Sequence, residues 1–194
     1  MARPKAADHQ QQRERIHNLA VNAFARLGFA SASMSELALA CGTSKAGLYH
    51  YFASKEELLF EALQTYIERL EHLALSIEAA ELEPRARLHR LVREFLREYQ
   101  HSHDHHVALL HDLKFLPPER QAPIQEKQRE VVEVFTRTLL VLSPERMRDP
   151  SHRKPMTMAL LGSINFTFAW LRADGAVSYE QFASMVIDLW ERGL

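Results

Sequence analysis

Residues 33–52 read SMSELALACGTSKAGLYHYF, and this stretch decides the fold of the N-terminal part of the chain. Ser33 is followed three residues later by Glu36, which is the pattern of a capping box at the start of a helix. Gly42 can supply the positive φ of a tight turn, and a hydroxyl residue after it can cap a second short helix. Two short helices joined by such a turn are typical of a helix-turn-helix, whose second helix enters the DNA major groove.

The second short helix has few polar groups, and most of them cluster near its start. Hydroxyls at a helix N-terminus suit phosphates or base edges, and Lys45 adds a positive charge. Gly47 leaves backbone that could approach the groove wall, and Lys55 lies at the positive end of the next helix. The candidate DNA contacts are Thr43, Ser44, Lys45, Gly47, Tyr49, His50 and Lys55. The competing interpretation is an ordinary helical hairpin with the aromatic residues in its core.

Apolar residues recur with helical spacing along nearly the whole chain, and no segment shows sustained strand alternation, so the predicted fold class is all-α. The first helix is expected from about Gln11 to Leu27, and a long helix from Lys55 to Ile77 would reach about 35 Å, enough to connect two domains. Further helices are expected after Pro84 and at about 122–142, 156–171 and 178–192, with breaks at Pro117-Pro118 and at 143–155. The helix after Pro84 is expected to have the inner stripe Leu88, Leu91, Val92, Phe95, Leu96 and Tyr99.

Composition describes a globular protein: 194 residues, 46% hydrophobic, with 24 Lys+Arg against 25 Asp+Glu. No run approaches a membrane span and the polar N-terminus lacks a signal-peptide core, which predicts a cytoplasmic protein. The single Cys41 fits a reducing compartment. Residues 1–55 carry a net charge of +4 and residues 56–194 a net charge of −5. A basic N-terminal segment followed by an acidic remainder suggests that the N-terminal segment binds a polyanion.

A longer pattern surrounds the helix-turn-helix. It consists of Ala20, Ala23, Phe24, Gly28, Phe29, Ser33, Met34, Leu37, Ala38, the run 41–52, Ser54, Lys55, Glu56 and Leu58. This pattern closely resembles the N-terminal domain of tetracycline-repressor (TetR) family transcriptional regulators. The resemblance implies a homodimeric repressor that binds operator DNA through three N-terminal helices and is released by a small effector. It also implies that Ser33 and Lys55 contact flanking phosphates.

Domain boundaries follow from the same resemblance. Residues 11–71 are expected to form the DNA-binding domain, with the helix-turn-helix at about 34–53, and residues 72–194 the effector-binding and dimerisation domain. Two half-sites require two recognition helices, so a homodimer is expected. The last two helices offer more apolar surface than a small bundle needs. The predicted dimer interface is Leu160, Leu161, Ile164, Phe168, Phe182, Met185, Val186, Leu189 and Trp190.

An effector pocket is expected between helices of the C-terminal domain, with apolar walls and a few polar groups. The candidate lining residues are Phe95, Tyr99, Leu110, Leu113, Phe115, Phe135, Leu139, Asn165, Phe168 and Arg172. Three segments, 111–114, 128–132 and 165–179, are similar to TetR-family members that respond to acyl-CoA thioesters. That similarity implies that Lys114, Arg129 or Arg172 meets the phosphates of coenzyme A while the acyl group enters the apolar interior.

Four clustered histidines give the remaining alternatives. His101, His103, His105 and His106 surround Asp104, and imidazoles with a carboxylate can bind Zn or Ni, so a metal-responsive repressor is conceivable. A helical-bundle metalloenzyme is the other alternative. The chain shows no nucleophile-base set, phosphate-binding glycine loop or HExxH motif, so we expect no enzyme activity, no cofactor and no metal site. An interaction-only dimer that keeps the helix-turn-helix would differ from a repressor by lacking ligand-dependent DNA release.

Overall fold

The computed structural model describes the backbone of residues 3–193 and the side chains of His9 and residues 11–192. Over these residues the chain is helical and has no strand, which confirms the all-α prediction. The helices are α1 Arg3–Leu27, α2 Met34–Ala40, α3 Lys45–Tyr51, α4 Lys55–Ala79, α5 Pro84–His101, α6 His103–His111, α7 Pro118–Leu142, α8 Pro150–Asn165 and α9 Tyr179–Gly193. Short 3-10 turns occupy Leu113–Phe115 and Phe166–Ala169.

Several helices begin earlier than the sequence predicts. α1 begins at Arg3 rather than near Gln11, because apolar periodicity marks only the part of a helix that carries an apolar stripe, and the residues before Gln11 are mostly polar. α7 begins at Pro118 rather than near Ala122, and α8 begins at Pro150 rather than at Met156. Proline is favourable as the first residue of a helix, so Pro118 and Pro150 start helices where we expected a helix stop and a loop, respectively.

Two further prolines lie inside helices where we expected loop or a helix start. Pro123 and Pro155 are each in the second turn of their helix, in α7 and α8 respectively. Each lacks the N–H that an interior helix residue donates, yet a proline close to a helix start interrupts little of the ladder. α8 also ends at Asn165 instead of Leu171, and the chain continues as the 3-10 turn Phe166–Ala169.

The chain forms two compact units. The first contains the described residues up to Tyr66 together with Asp104–Ile124, and the second contains Ile67–His103 together with the described residues from Gln125 onward. The chain passes from the first unit to the second between Tyr66 and Ile67, whereas the sequence predicts the domain boundary after residue 71. Residues 104–124, which we expected in the C-terminal domain, belong to the first unit. The spacing of apolar residues shows which face of a helix is buried but not which distant segment covers it. The sequence therefore did not indicate that residues 104–124 belong to the first unit.

Each unit has its own apolar core. In the first unit, Ile16, Leu37, Leu48 and Leu59 have no exposed surface. The predicted inner stripe of α5 is confirmed, since all of its members are buried in the second unit: Leu88, Leu91, Val92, Phe95, Leu96 and Tyr99. Within the described part of the chain, no helix has the length and apolar content that crossing a membrane requires.

Candidate nucleic-acid interface and candidate ligand sites

The start of α2 is fixed by the predicted capping box. The Glu36 backbone N–H donates to Ser33 Oγ at 3.3 Å, and the Ser33 backbone N–H donates to Glu36 Oε2 at 2.9 Å. The Ser33 hydroxyl also donates to Glu36 Oε2 at 2.7 Å, and these bonds hold the pKa of the Glu36 carboxyl below its usual value. The Ser33 hydroxyl hydrogen is therefore donated within the cap. The predicted contact of Ser33 with a phosphate did not take this bond into account.

The turn between α2 and α3 has the predicted geometry. Gly42 has a φ of 65°, in the left-handed region that favours glycine. The Thr43 N–H donates back to the Ala38 carbonyl at 3.0 Å, and Leu48 packs into the core with no exposed surface. Cys41 is buried beside the turn, where its thiol donates to the Ile16 carbonyl at 3.7 Å and burial raises its pKa. The turn thus fixes α3 against α2 and leaves the opposite side of α3 to solvent.

The solvent side of α3 brings together the residues that we predicted for DNA contact. Ser44 is the N-cap and accepts the Gly47 N–H at 2.9 Å. Ser44, Lys45, Tyr49 and His50 are exposed, and 46% of Tyr49 is accessible even though it is a large aromatic residue. We call these four residues the α3 surface. An accessible cation, hydroxyls and an aromatic ring on one short helix are groups that contact phosphates and base edges.

Gly47 has a steric role that the sequence did not suggest. A Cβ atom at this position would lie 2.5 Å from Thr43 Oγ1 and 3.2 Å from Ser44 Oγ. The first distance is shorter than real Cβ contacts allow. The absence of a side chain at Gly47 makes room for the two hydroxyls at the start of α3. Gly47 therefore has a structural role in addition to its predicted DNA contact.

Lys55 also has a role within the protein, and its predicted phosphate contact stays a prediction. Its ammonium donates to the carbonyl oxygens of Phe29, Ala30 and Ala32 at 2.9, 3.2 and 3.0 Å. It also lies 4.8 Å from the centre of the Phe29 ring. An ammonium has three hydrogens, so these three carbonyls use all of its donors. Lys55 therefore ties the start of α4 to the loop between α1 and α2.

Arg13 is a supporting residue that sequence reasoning missed. Its guanidinium forms a bidentate ion pair with Glu61 of α4, with Nε donating at 3.0 Å to Oε2 and the second bond reaching Oε1. It also donates to the Tyr51 carbonyl at 3.2 Å and lies 4.6 Å from the Phe52 ring centre. One side chain thereby connects α1, the end of α3 and α4. No sequence signal pairs residues 48 positions apart.

His17 lies beside this connection. Its ring stacks at 5.0 Å from the Phe52 ring centre, and Nε2 is 3.3 Å from Glu61 Oε2. Burial lowers the pKa of His17, with Arg13 acting in the same direction and Glu61 and Glu14 opposing. The folded protein therefore favours the neutral imidazole at this position.

The second unit contains a groove between α7 and α8 with a volume of about 770 Å³. We call it the α7–α8 groove. Its lining combines cations, amides and apolar side chains: Gln125, Gln128, Arg129, Val132, Glu133, Thr136, Leu140, Pro150, Arg153, Lys154 and Met158. Of these, the sequence suggested only Arg129 as a ligand contact. The volume lies in the range of small-molecule sites.

The predicted pocket residues fall into two groups. Phe95, Tyr99 and Phe135 pack together in the core of the second unit, and Tyr99 donates its hydroxyl to Asn165 Oδ1 at 2.7 Å. Burial raises the pKa of Tyr99, so its phenol stays protonated. Leu139 is buried, Phe168 is half-buried and Arg172 is exposed, all in the second unit. Leu110, Leu113 and Phe115 lie in the first unit, where Phe115 stacks on Phe29.

The predicted dimer residues also divide into two groups. Leu160, Leu161, Ile164 and Val186 are 0–4% exposed, because they form the inner stripes of α8 and α9. They pack inside the protomer, which corrects their predicted place on a surface. Met185 and Leu189 are 55% and 70% exposed, while Phe168, Phe182 and Trp190 are half-buried.

Sequence reasoning missed two exposed residues of α8, Ala159 and Gly162, and the exposed Phe166 directly after the helix. Phe166 is 60% accessible. The α8–α9 apolar face is the name we use for Ala159, Gly162, Phe166, Met185 and Leu189.

The clustered histidines do not share one helix face. His101 ends α5, where its Nδ1 lies 2.7 Å from the Arg97 carbonyl, and His103, His105 and His106 belong to α6. His106 is buried, and Tyr66 packs against both His105 and His106. Among the described residues, no three His, Cys, Asp or Glu side chains come together as metal ligands would. His101 and His105 do not lie on one continuous helix, because Ser102 caps α5 between them.

The geometry of α2, the Gly42 turn and α3 defines a helix-turn-helix DNA-binding protein. Comparison with known proteins agrees. Residues 16–62 match the family described as bacterial regulatory proteins, tetR family, and residues 81–194 match the tetracyclin repressor-like C-terminal domain. The chain belongs to the TetR family of transcriptional regulators, which are helix-turn-helix proteins of repressor type.

Individual relatives support the same assignment. A TetR-family regulator from Bordetella parapertussis 12822 is 35% identical, with 92% of this chain and 93% of that one covered and a TM-score of 0.88. KstR2, an HTH-type transcriptional repressor of Rhodococcus jostii, is 26% identical over 91% of this chain and 90% of its own length. AibR has the same fold, with a TM-score of 0.80 at 24% identity over 92% of this chain and 97% of that one.

Other curated relatives match over shorter stretches. YerO of Bacillus subtilis is 42% identical over 57 residues, 29% of this chain, and the chain spans 20% of its length. BetI of Rhizobium meliloti is 31% identical over 97 residues, half of this chain, and the chain spans 48% of its length.

Proposed function

We propose that this chain is a homodimeric repressor that leaves its operator when it binds a small effector, an acyl-CoA thioester or a related apolar acid derivative. The observation that carries the DNA-binding part is the α3 surface, where Lys45, Tyr49 and His50 are accessible on a helix whose inner residue Leu48 is locked in the core. Lys45 would neutralise a phosphate, and the rings of Tyr49 and His50 would reach base edges in the major groove.

Dimer formation is supported by the α8–α9 apolar face. Met185 and Leu189 are one helical turn apart on α9, and Phe166 is exposed at the end of α8. A Cβ built on Gly162 meets no atom within 4 Å, so space is open beside α8 for a second helix to approach. Large exposed apolar side chains on neighbouring helices are typical of a surface covered by another subunit. Burying the same face of two copies satisfies both at once, as a two-fold interface does.

The effector class is supported by AibR, a protein of the same fold whose structure was solved with isovaleryl coenzyme A and operator DNA. Effector binding would shift the population toward a conformer in which the two α3 surfaces no longer match successive half-sites. The expected result is release of DNA through a change in the spacing of the two α3 surfaces, while each α3 surface keeps its own structure.

The operator can be obtained by selecting binding sequences from random duplex DNA with the purified protein. Fluorescence anisotropy on a selected sequence should then give salt-dependent binding. Lys45→Ala and Tyr49→Ala should each weaken binding at least about tenfold, while the exposed Lys114→Ala, which removes the same charge elsewhere in the first unit, should leave it unchanged. Unchanged affinity in both α3 variants would contradict the assignment of this surface.

The effector part has its own test. Octanoyl-CoA or isovaleryl-CoA, added to the preformed protein–operator complex, should lower the anisotropy in a saturable way. At 100 times its Kd, a ligand that binds only the folded state raises the free energy of unfolding by about 2.7 kcal/mol, which a thermal-shift assay detects. Failure of all thioesters in both assays would contradict the effector class while the DNA-binding proposal stands.

A further inference from the structure

The charge of the α7–α8 groove differs from that of the chain around it. Arg129, Arg153 and Lys154 line it together with one carboxylate, Glu133, so the lining carries a net charge of +2. Residues 56–194 as a whole carry a net charge of −5. The folding of α7 against α8 has therefore gathered positive charge in an acidic part of the chain, which favours an anionic ligand there.

Two of these cations are available to a ligand. On the same helix, Lys127 pairs with Glu71 at 2.6 Å and Arg137 pairs with Glu78 at 2.7 Å. Within the described part of the chain, by contrast, neither Arg129 nor Lys154 forms an ion pair. Both line the α7–α8 groove, so an anion bound there would be attracted to both charges.

Arg153 is oriented by the protein itself. Its Nε donates to the Met147 carbonyl at 3.1 Å, so the side chain is held while its two terminal nitrogens keep their hydrogens for an acceptor. A guanidinium held in this way is suited to bidentate recognition of a phosphate.

The remaining wall of the groove is apolar. Val132, Leu140 and Met158 line it beside Thr136. The Thr136 hydroxyl bonds to the Val132 carbonyl at 2.9 Å and to Thr157 Oγ1 at 3.0 Å, inside the helix pair. The hydroxyl hydrogen is therefore used within the protein, and with its apolar neighbours this side of the groove favours hydrocarbon.

We propose that the α7–α8 groove binds the phosphate-bearing part of a coenzyme A thioester, with Arg129, Arg153 and Lys154 on the phosphates and the apolar wall against the pantetheine chain. This inference rests on the acyl-CoA effector of the proposed function and gives it a location. Three cations fit a ligand with several phosphate groups better than a carboxylic acid with a single charge. Of the three cations that the sequence suggested for this task, Arg129 lines the groove, whereas Lys114 lies in the first unit and Arg172 is not in the lining.

The test compares binding of octanoyl-CoA, coenzyme A and octanoate by isothermal titration calorimetry. The variant is Arg129→Gln with Lys154→Gln, which removes two charges and keeps good helix formers at both positions. The matched control is Arg90→Gln with Arg146→Gln, which removes two exposed charges from the second unit outside the groove. Thermal melts confirm that both double variants are folded, and operator binding without ligand is measured for each.

The groove variant should bind octanoyl-CoA and coenzyme A at least about tenfold more weakly than the wild type, a loss of about 1.4 kcal/mol or more. The control variant should bind both as the wild type does, and operator binding should be the same for all three. Equal octanoyl-CoA affinity in the groove variant and the wild type would overturn the location and leave the effector class intact. A wild type that binds octanoate but neither CoA compound would overturn the effector class and the groove assignment together.

Discussion

Lys55 donates to the Phe29 carbonyl at 2.9 Å while its ammonium also lies 4.8 Å from the centre of the Phe29 ring. The same residue thus receives the lysine charge on its backbone and on its aromatic face. With the Ala30 and Ala32 carbonyls, this contact fixes the loop that leads from α1 into the helix-turn-helix. Lys45, one helix earlier, points its charge toward solvent. The two lysines should therefore respond differently to removal of their charge.

Lys55→Met should lower the free energy of unfolding by about 1–3 kcal/mol, because three carbonyl oxygens lose a charged donor. Lys45→Met should change stability by less than about 0.5 kcal/mol, as an exposed substitution does, and should instead weaken operator binding. Urea unfolding followed by circular dichroism measures both effects. Equal stability of the two variants would show that the contacts of Lys55 contribute little.

Gly47→Ala should show a steric coupling to Thr43. The added Cβ would lie 2.5 Å from Thr43 Oγ1, so the hydroxyl must rotate away and some of the helix gain from alanine, about 1 kcal/mol, is lost. In the Thr43→Ala background the closer obstacle is gone and the Ser44 Oγ contact at 3.2 Å remains, so Gly47→Ala should be more favourable there than in the wild type. A double-mutant cycle of unfolding free energies measures the difference. Additive effects of the two substitutions would mean that the site relaxes without cost.

His17 should make the protein less stable as the pH falls. Burial lowers its folded-state pKa below the unfolded value of 6.5, so the unfolded chain takes up the proton first. The stabilising contribution is present above about pH 6.5 and is lost as the pH falls below it, with each unit of pKa difference worth about 1.4 kcal/mol.

His17→Gln isolates this effect from the other histidines. Unfolding free energies measured at pH 7.5 and pH 5.5 should differ less in this variant than in the wild type. The chain has 11 histidines, so only the difference between the two proteins reports on His17. Identical pH dependence in both would contradict a lowered pKa at this site.

Leu189→Asp should convert the proposed dimer to a monomer, because a charge would replace an apolar side chain that is 70% exposed in the protomer and covered in the dimer. Val141→Asp is the matched control, since Val141 is 61% exposed on α7, outside the α8–α9 apolar face. Analytical ultracentrifugation at micromolar concentration distinguishes the two species. A monomeric wild type, or a dimeric Leu189→Asp variant, would contradict this interface.

Sequence reasoning succeeded where the information is local. The Ser33–Glu36 box, the Gly42 turn and the bounds of α3 all depend on spacings of a few residues, and the structure has each of them. The inner stripe of α5 followed from helical periodicity in the same way.

It failed where the deciding partner is distant along the chain. The internal contacts of Lys55 could not be predicted, because the Phe29 carbonyl to which it donates is 26 residues away. Leu160 and Val186 looked like surface residues because periodicity marks an apolar stripe but does not say which neighbour covers it. Pro118 was predicted to stop a helix and Pro150 to lie in a loop, yet each is the first residue of a helix, a position that proline favours.

Cys41 is the single thiol of the chain and lies sealed beneath the turn of the helix-turn-helix, 2% exposed and with a raised pKa. A thiol-specific reagent can react with it only during moments when that part of the protein opens. The rate at which the reagent labels Cys41 therefore reports how often the DNA-binding element opens locally. Comparing this rate with the rate of global unfolding, with and without operator, would show how much bound DNA slows the local opening of the element.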